Sequence, residues 1–505
     1  MQGGLLVCGT GSDVGKSRIV AGLCRVLVRR GVRVAPFKAQ NMALNSFVTV
    51  EGLEIGRAQA AQAMAARVPP EVAMNPILLK PTGDRTSQVI VRGRPIGVMT
   101  AAEYHGHKPQ LLATVLADLA DLRTRFEVVI AEGAGSPTEI NLLEHDIVNL
   151  RIAAEARLPA IVVGDIDRGG VFASLYGTVA LLPDHYRALV AGFVINKFRG
   201  DPALLGDGLA ALEARCGVPT LGVLPMVEDL ALDAEDSLAL RGPRPRAGRS
   251  AIGDALDIAV VRFPQISNFT DLDALMIEPG VSVRFVTAPS ELGSPDLVVL
   301  PGSKATVEDL EWLRAAGFAA ALAGMGALVL GICAGYQMLG TEIVDDVESG
   351  RGRVAGLGLL DVRTVFATAK TTRLRTGVAM DEPITGYEIR HGETERGPSA
   401  AGWVHLDQAD GALGVTRDDR HDEGAIELGA ARVLGTSLHG LFEADAFRAQ
   451  FLVEVGRRAG KTFTPAGVSF SGARESQIDR FADVLETHLD LDAVFALIES
   501  GAPAP

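Results

Sequence analysis

The chain has few cysteines and none of them are paired in sequence. Four cysteines are scattered over 505 residues, and no C-x-x-C pair occurs. This spacing gives no disulfide framework and no cysteine-based metal site, and it is typical of a reducing compartment. The first residues also lack a basic region and a cleavage site, and the apolar run at 5–8 is too short for a signal core. We therefore expect a cytoplasmic protein.

Two further absences narrow the function. The chain has 48 Lys and Arg against 62 Asp and Glu, a formal net charge of −14. Nucleic acid is not expected as a main partner, because phosphate backbones are bound by an excess of positive charge. No stretch approaches the roughly 20 uninterrupted apolar residues of a membrane-spanning helix, so no membrane partner is expected.

What is present indicates an α/β protein of more than one domain. The length predicts two or three domains, and a hydrophobic content of 48% with 57 glycines suits strands and helices joined by tight turns. Short apolar stretches alternate with amphipathic helices, which predicts a doubly wound parallel sheet covered on both faces. The expected strands lie at 4–8, 32–37, 126–131, 160–164, 189–195 and 220–224.

A Pro-, Arg- and Gly-rich stretch at 240–253 predicts a linker. We therefore expect one domain at 1–239 and a second at 254–505, the latter ending in a helical tail. A second set of strands is expected at 258–261, 283–286, 297–300, 327–332, 386–390, 412–416 and 433–437.

The stretch GTGSDVGKS, residues 9–17, follows the first strand and opens a helix. Glycines such as Gly11 and Gly15 let backbone N–H groups approach phosphate oxygens at the helix N-terminus. Lys16 would reach the β- and γ-phosphates, and the Ser17 hydroxyl would bind Mg²⁺. The alternative is an incidental glycine-rich turn.

Glu132 ends the apolar run FEVVIAE, where a carboxylate completes the coordination of Mg²⁺. The alternative is an ordinary solvated glutamate at a strand end. The phosphate loop is one residue longer than usual, and its spacing resembles dethiobiotin synthetase and its relatives, which use ATP to activate a carboxylate. Partitioning ATPases of the same superfold carry an extra lysine where this chain has Gly11.

A second motif, ALVLGICAGYQMLG at 327–340, is an apolar strand, a glycine-flanked cysteine and a helix. Glycines on both sides allow a sharp turn that presents Cys333 near a helix N-terminus, where a thiolate nucleophile is favoured. The alternative is a cysteine buried as a small apolar residue.

Groups that could assist Cys333 lie on both sides of it in the sequence. A turn at PGS, containing Gly302, could present a backbone N–H to an oxyanion together with the Ala334 N–H. His439 follows a late strand and is the preferred general base and acid, with His391 as the rival.

These motifs together resemble a class I glutamine amidotransferase domain of flavodoxin-like fold, in which Gln337 matches the glutamine-contacting position. Over nearly its whole length the chain resembles the cobyric acid synthase family. The matching stretches are FKAQNMALNS, EINLLEHDIVNL, GDIDRGGVFAS, INKFRGD and FPQISNFTDLD. The resemblance implies an amidoligase that uses ATP, Mg²⁺ and glutamine to amidate the b, d, e and g carboxylates of adenosylcobyrinic acid a,c-diamide, a corrinoid.

Some positions depart from these patterns or stay open. Most class I glutaminases carry a Glu two residues after the histidine, but this chain has Leu441 there, and Glu443 is the nearest acid. Asn196 and Lys197 stand where related folds contact the nucleotide base, and the residues after them do not complete a guanine-selecting motif, which favours ATP. Arg168, Lys197 and Arg199 are candidate contacts for corrinoid carboxylates.

Two other classes of function remain as alternatives. One is a nucleotide-switched positioning or partitioning ATPase, which leaves Cys333 unexplained. The other is a glutaminase-like domain that senses ligands without catalysis, against which the intact Cys333 and His439 pair counts.

Overall fold

The structure is a computed structural model that describes residues 1–83, 85–227, 254–407, 420–427 and 432–502. The predicted linker at 240–253 and the strand expected at 412–416 lie outside the described residues. The chain forms two compact units. The first contains Met1–Ala43, Glu54–Leu230 and Glu475–Pro505, and the second contains Leu44–Leu53 and Ala231–Arg474.

The helices and strands of the first half of the chain have the following bounds. The strands are β1 (Gly3–Gly9), β2 (Val34–Phe37), β3 (Gln40–Met42), β4 (Ser46–Val48), β5 (Glu54–Gly56), β6 (Ile77–Pro81), β7 (Thr86–Val91), β8 (Arg94–Thr100), β9 (Val128–Glu132), β10 (Ala160–Asp165), β11 (Val190–Phe198) and β12 (Thr220–Pro225). The helices are α1 (Lys16–Arg29), α2 (Arg57–Ala65), α3 (Ala101–Arg125), α4 (Leu150–Ala156), α5 (Val171–Leu181), α6 (Asp184–Arg187) and α7 (Gly208–Cys216).

The first unit is built on a parallel sheet with the strand order β12-β11-β10-β1-β9-β2. Each of the six stretches expected to form a strand overlaps one of these strands, which confirms the predicted fold class. The strands β2, β9 and β10 are buried along their whole length, as is typical of a parallel sheet covered on both faces, and β1 contributes the fully buried Leu5 and Val7 to the core. The carboxyl ends of β9, β10 and β11 place Glu132, Asp165 and Asn196 along one edge.

A smaller sheet, with the order β3-β6-β7-β8, also belongs to the first unit and was not predicted from the sequence. Its strands β6, β7 and β8 form an antiparallel meander, and β8 is exposed along most of its length. The proline and glycine within β8 suit the edge position, where one side of the strand needs no hydrogen-bonded neighbour.

The helices and strands of the second half of the chain have the following bounds. The strands are β13 (Leu256–Val261), β14 (Ile266–Ser267), β15 (Val281–Val286), β16 (Leu297–Leu300), β17 (Gly302–Ser303), β18 (Leu328–Ile332), β19 (Glu342–Asp345), β20 (Gly352–Ala355), β21 (Val362–Ala379), β22 (Glu382–Arg396), β23 (Ala400–Ala401), β24 (Val404–Asp407), β25 (Arg420–Glu423), β26 (Ala425–Glu427) and β27 (Val433–Thr436). The helices are α8 (Asp273–Met276), α9 (Thr306–Ala315), α10 (Phe318–Gly324), α11 (Ala334–Leu339), α12 (Asp445–Arg458), α13 (Phe470–His488) and α14 (Leu491–Ser500).

The second unit has its own α/β core. Its main sheet has the order β15-β13-β16-β18-β27-β26-β23, in which the first five strands are parallel and β26 and β23 are antiparallel. A long hairpin of β21 and β22 carries the stretch expected at 386–390. The chain turns sharply after β18 and after β27, which positions Cys333 and His439 beyond neighbouring strands.

The C-terminal tail packs into the core of the first unit, whereas the sequence-based boundaries group it with the second domain. Phe481 and Leu485 of α13 pack in the same apolar cluster as Ile19 and Leu23 of α1. The buried Arg25 guanidinium pairs with Asp479 at 3.0 Å. The apolar face of α13 needs a partner helix, and α1 supplies it.

Candidate functional site: a phosphate loop and a cysteine elbow

The phosphate loop turns into α1 at Gly15. The φ angle of Gly15 is 105°, and a Cβ at this position would collide with the side-chain amide of Asn196. Only glycine fits both conditions without strain. Lys16 is 7% exposed, and its ammonium donates to the Gly11 carbonyl at 2.7 Å and to the Gly135 carbonyl at 3.4 Å. The Lys16 side chain is therefore folded back against the backbone of the loop.

Glu132, 1% exposed at the end of β9, accepts hydrogen bonds on both carboxylate oxygens. The Ser17 hydroxyl donates to Oε1 at 2.8 Å, and the Lys38 ammonium lies 2.9 Å from the same oxygen. The Gln62 amide donates to Oε2 at 2.6 Å. The charge of Lys38 compensates the buried charge of Glu132, which would otherwise be costly.

The donor set at this point fits a magnesium ion. Ser17 and Glu132 supply adjacent hydroxyl and carboxylate oxygens, the hard ligands that Mg²⁺ prefers. No group of three His, Cys, Asp or Glu that could hold a metal occurs in the described part of the chain. A Mg²⁺ with only two side-chain ligands would keep its other places for phosphate oxygens and water, as is usual for this ion.

The other cationic and amide side chains at this edge pair with residues around the loop. Asn196 donates from its amide to the Val14 carbonyl at 2.9 Å, and the Lys197 ammonium lies 2.9 Å from Asp165. The guanidinium of Arg168 pairs with Asp13 at 2.8 Å, and that of Arg199 pairs with Asp167 at 3.0 Å. Asn196 and Lys197 thus brace the loop, and the three candidate corrinoid contacts are engaged in ion pairs.

Cys333 lies at the turn between β18 and α11. Its φ and ψ angles are 52° and −107°, a strained conformation for a residue with a side chain. The backbone holds it there, since the Cys333 N–H donates to the Thr436 carbonyl at 2.8 Å. A Cβ at Gly335 would collide with the Leu300 carbonyl, so the next turn of chain can approach β16 only because that residue is glycine. Cys333 is buried, and its Sγ lies 3.9 Å from the Ile389 carbonyl.

His439 interacts with Cys333 and with an acid that sequence reasoning missed. Its Nδ1 lies 2.7 Å from Asp271 Oδ2, and the Gly440 N–H donates to Asp271 Oδ1 at 2.8 Å. Burial lowers the pKa of His439, but the charges of Asp271 and Cys333 and hydrogen bonds with both side chains raise it to about 10. The arrangement favours an imidazolium beside the sulfur of Cys333, a charge that assists a cysteine nucleophile.

The rival groups have other partners. His391 Nδ1 lies 3.1 Å from the Ala367 carbonyl, and burial lowers the pKa of its imidazole. Glu443, the acid nearest to His439 in sequence, pairs with the guanidinium of Arg474 at 3.2 Å. Leu441, at the usual position of the orienting acid, is buried in the core. Asp271 therefore occupies the orienting position in this structure.

The residues predicted to contact the oxyanion and glutamine lie next to Cys333 or next to His439. A Cβ at Gly302 would lie 3.2 Å from His439 Cε1, which places β17 beside the histidine. Ala334 begins α11, directly after the cysteine. Gln337 is 3% exposed, and its amide oxygen accepts a hydrogen bond from Thr306 at 3.4 Å.

Two residues at these sites, Gln62 and Asp271, did not appear among the sequence-based candidates. Asp271 lies in a stretch that carried the family resemblance, FPQISNFTDLD. The resemblance could thus have pointed to Asp271, although no spacing rule assigns it a role.

Comparisons with known proteins also distinguish two functional regions in the chain. Residues 5–239 match the family model of the CobQ/CobB/MinD/ParA nucleotide binding domain, and residues 257–447 match the CobB/CobQ-like glutamine amidotransferase domain. A cobyric acid synthase of Streptomyces avermitilis is 55% identical over 100% of this chain and 98% of its own length. This chain belongs to the cobyric acid synthase family.

Other members of the cobyric acid synthase family are nearly as similar. The enzyme of Streptomyces coelicolor is 54% identical over 100% of this chain and 98% of its own length. The enzyme of Rhodococcus jostii is 54% identical over 99% of this chain and 96% of its own length. The chain is accordingly an amidoligase with a nucleotide-binding domain and a glutamine amidotransferase domain. Among its described helices, none is long and apolar enough to cross a membrane.

Proposed function

We propose that the protein converts adenosylcobyrinic acid a,c-diamide into adenosylcobyric acid by amidating its b, d, e and g carboxylates, with ATP and glutamine as co-substrates. The observation that carries this proposal is the presence of two different chemical centres in one chain. Ser17 and Glu132 provide two adjacent oxygen ligands beside a phosphate loop. Cys333 interacts with His439, which is hydrogen-bonded to Asp271.

The first centre would activate the carboxylate. A carboxylate does not accept ammonia directly, because oxide would have to leave. One oxygen of the corrinoid carboxylate attacks the γ-phosphorus of ATP, the bond to ADP breaks, and the resulting acyl phosphate carries a good leaving group. Lys16 and the loop N–H groups stabilise the charge on the transferred phosphoryl group. Mg²⁺, held by Ser17 and Glu132, supplies additional positive charge beside the phosphates when it is bound.

The second centre would supply ammonia. The Cys333 thiolate attacks the side-chain amide carbon of glutamine, and the oxyanion faces the Ala334 N–H and the Gly302 turn. His439 donates its proton to the departing ammonia, which leaves a glutamyl thioester. The histidine then takes a proton from water, and the hydroxide releases glutamate and restores the thiolate. Ammonia attacks the acyl phosphate, phosphate leaves, and the amide is formed.

One variant separates the supply of ammonia from the activation of the carboxylate. Cys333→Ala is expected to reduce glutamine-dependent amidation by roughly 10³-fold or more, because no nucleophile replaces the sulfur. Ammonium salt at raised pH, where more free NH₃ is present, should restore amidation to near the wild-type ammonia-dependent rate. Mass spectrometry of the corrinoid product with ATP and each nitrogen source makes the measurement.

The matched control is Cys216→Ala, which removes a cysteine at the end of α7 in the first unit. It should leave both nitrogen sources equally effective. If ammonia does not rescue Cys333→Ala while the variant remains folded, Cys333 is not a dedicated nitrogen-donor site. If the wild type amidates no corrinoid, the proposed substrate is wrong.

A further inference from the structure

The short segment Leu44–Leu53 belongs to the second unit, although it lies within the N-terminal half of the chain. The chain leaves the first unit after Ala43 and returns to it at Glu54. Ser46 is fully buried, and its backbone N–H donates to the side-chain oxygen of Asn268 at 2.8 Å. Further along, the carbonyl of Gly52 accepts a hydrogen bond from the Thr372 hydroxyl at 2.6 Å. The segment is therefore integrated into the second unit at several points.

Its principal contact is with Tyr387 on β22. The Tyr387 hydroxyl donates to the Ser46 carbonyl at 3.1 Å, and the Phe47 ring meets the tyrosine ring edge-on at a centroid distance of 5.1 Å. Val48 is fully buried in a small cluster with Tyr387 and Ile389. Tyr387 itself is 2% exposed, so both its ring and its hydroxyl are fixed by their neighbours.

Tyr387 in turn packs directly on His439. The two rings are stacked with centroids 5.4 Å apart and an interplanar angle of 28°. Their backbones also exchange two hydrogen bonds, with the Tyr387 N–H donating to the His439 carbonyl at 3.0 Å and the reverse bond at 2.9 Å. The tyrosine ring therefore supports one face of the imidazole, and a shift of the tyrosine ring would allow the imidazole to move.

The same segment also supports the other side of the histidine. Asn268, which accepts from the Ser46 N–H, stands at a φ of 50° and begins the turn that carries Asp271. The Asp271 N–H donates to the Asn268 carbonyl at 3.0 Å, and the Asp271 carboxylate holds His439 Nδ1. Ser46 is thus linked through its carbonyl to the stacked tyrosine and through its N–H to the turn of the orienting acid.

We propose that Leu44–Leu53 is a working part of the glutaminase site and that Tyr387, held by Ser46, is a positioning residue for His439. The proposal rests on the proposed function, since it assigns His439 to glutamine hydrolysis. Tyr387 acts on the orientation of the imidazole and does not itself contact the reacting atoms. A His439 ring that rotates away from Cys333 would stabilise the thiolate less and donate its proton less effectively to the leaving ammonia.

The decisive variant is Tyr387→Phe, which keeps the stacked ring and removes the hydroxyl that donates to Ser46. The kcat of glutamine hydrolysis is expected to fall about fivefold, the rate equivalent of one hydrogen bond. The KM for glutamine and the ammonia-dependent amidation should stay at wild-type values. The pH profile of alkylation by iodoacetamide, which reports on the His439–Cys333 pair, should be displaced to higher pH relative to the wild type.

A second variant reaches the same histidine from the other side. Asn268→Gly retains a residue suited to the positive φ and removes the acceptor of the Ser46 N–H, so it should shift the alkylation profile in the same direction. Val453→Ala serves as the control, because Val453 lies on α12 of the second unit, outside the segment, and is 43% exposed. It should change neither readout.

The outcomes separate this proposal from the proposed function. Wild-type kcat and an unchanged alkylation profile in folded Tyr387→Phe would overturn the positioning role while glutamine hydrolysis stands. Equal losses in glutamine- and ammonia-dependent amidation would also overturn it, since they would indicate a general structural defect. If the wild type hydrolyses no glutamine, the proposed function fails, and the alkylation profile still decides whether Tyr387 controls the His439–Cys333 pair.

Discussion

Each of the two candidate sites contains one buried carboxylate, Glu132 beside the phosphate loop and Asp271 beside His439, and the two carboxylates reach their places in different ways. Glu132 is the last residue of β9, and the parallel sheet carries it to the edge where the phosphate loop begins. Asp271 lies in a turn before α8 and meets a histidine 168 residues further along the chain. The first acid is placed by regular secondary structure, and the second by tertiary packing alone.

Their surroundings also differ. Glu132 is surrounded by the donors Ser17, Lys38 and Gln62, a setting that suits a group shared with a bound cation. Asp271 instead accepts hydrogen bonds from the His439 ring and from the Gly440 N–H. In the proposed scheme the first acid neutralises positive charge near phosphates, whereas the second orients the imidazole and raises its pKa.

The largest effect is expected from Glu132→Gln. The substitution keeps the size of the side chain, removes the charge that faces Lys38, and weakens the oxygen donor pair with Ser17. ATP-dependent amidation should fall by roughly 10³-fold with either glutamine or ammonia, because both nitrogen sources need the acyl phosphate. Initial rates of corrinoid amidation with each nitrogen source give the measurement.

Glu127→Gln is the matched control, since Glu127 immediately precedes β9 at the opposite edge of the sheet. Near wild-type amidation by Glu132→Gln with ammonia would show that this acid takes no part in carboxylate activation. The proposed division between the two centres would then have to be redrawn.

A smaller and more selective effect is expected from Asp271→Asn. Glutamine hydrolysis should fall by roughly 10²-fold, and ammonia-dependent amidation should be unchanged. Asp271 raises the pKa of His439, so the imidazolium is present at neutral pH and is lost as the pH rises through about 10. Without the carboxylate the alkaline limb of the hydrolysis rate should move to lower pH, by roughly 1–3 units.

Glu443→Gln is the control for this prediction, because Glu443 is the acid closest to His439 in sequence and pairs with Arg474. It should leave the rate and the pH profile at wild-type values. If Glu443→Gln moves the alkaline limb and Asp271→Asn does not, the assignment of the orienting acid is reversed.

The contrast between the two acids also explains what the sequence could predict. Apolar strands followed by polar residues predict the carboxyl edge of a parallel sheet, and so the strand that ends in Glu132 and the turn at Cys333 were predicted correctly. No periodicity links Asp271 to His439, because their contact depends on how a long intervening segment packs. The β3-β6-β7-β8 sheet was missed for a related reason, since its short strands interrupt the regular alternation of strand and helix.

The smallest of these effects is expected from Gly15→Ala. Alanine is strained at a φ of 105°, and its Cβ would collide with the Asn196 amide that braces the loop. Strain of about 1–3 kcal/mol predicts roughly tenfold weaker ATP binding. Equilibrium titration with ATP measures this, and Gly106→Ala, at a position with open space around its Cα, is the control. Unchanged affinity in Gly15→Ala would mean that the loop relaxes around the added methyl group.

The packing of the C-terminal tail has a consequence for how the protein is made. Phe481 and Leu485 complete an apolar cluster begun by α1, and the ribosome synthesises them only after all of Ala231–Arg474. At roughly 5–20 residues per second, the nascent first unit waits on the order of ten to fifty seconds with one face of α1 uncovered. During that interval the guanidinium of Arg25 has neither Glu475 nor Asp479 as a partner. The first unit to be translated is therefore the last to be completed.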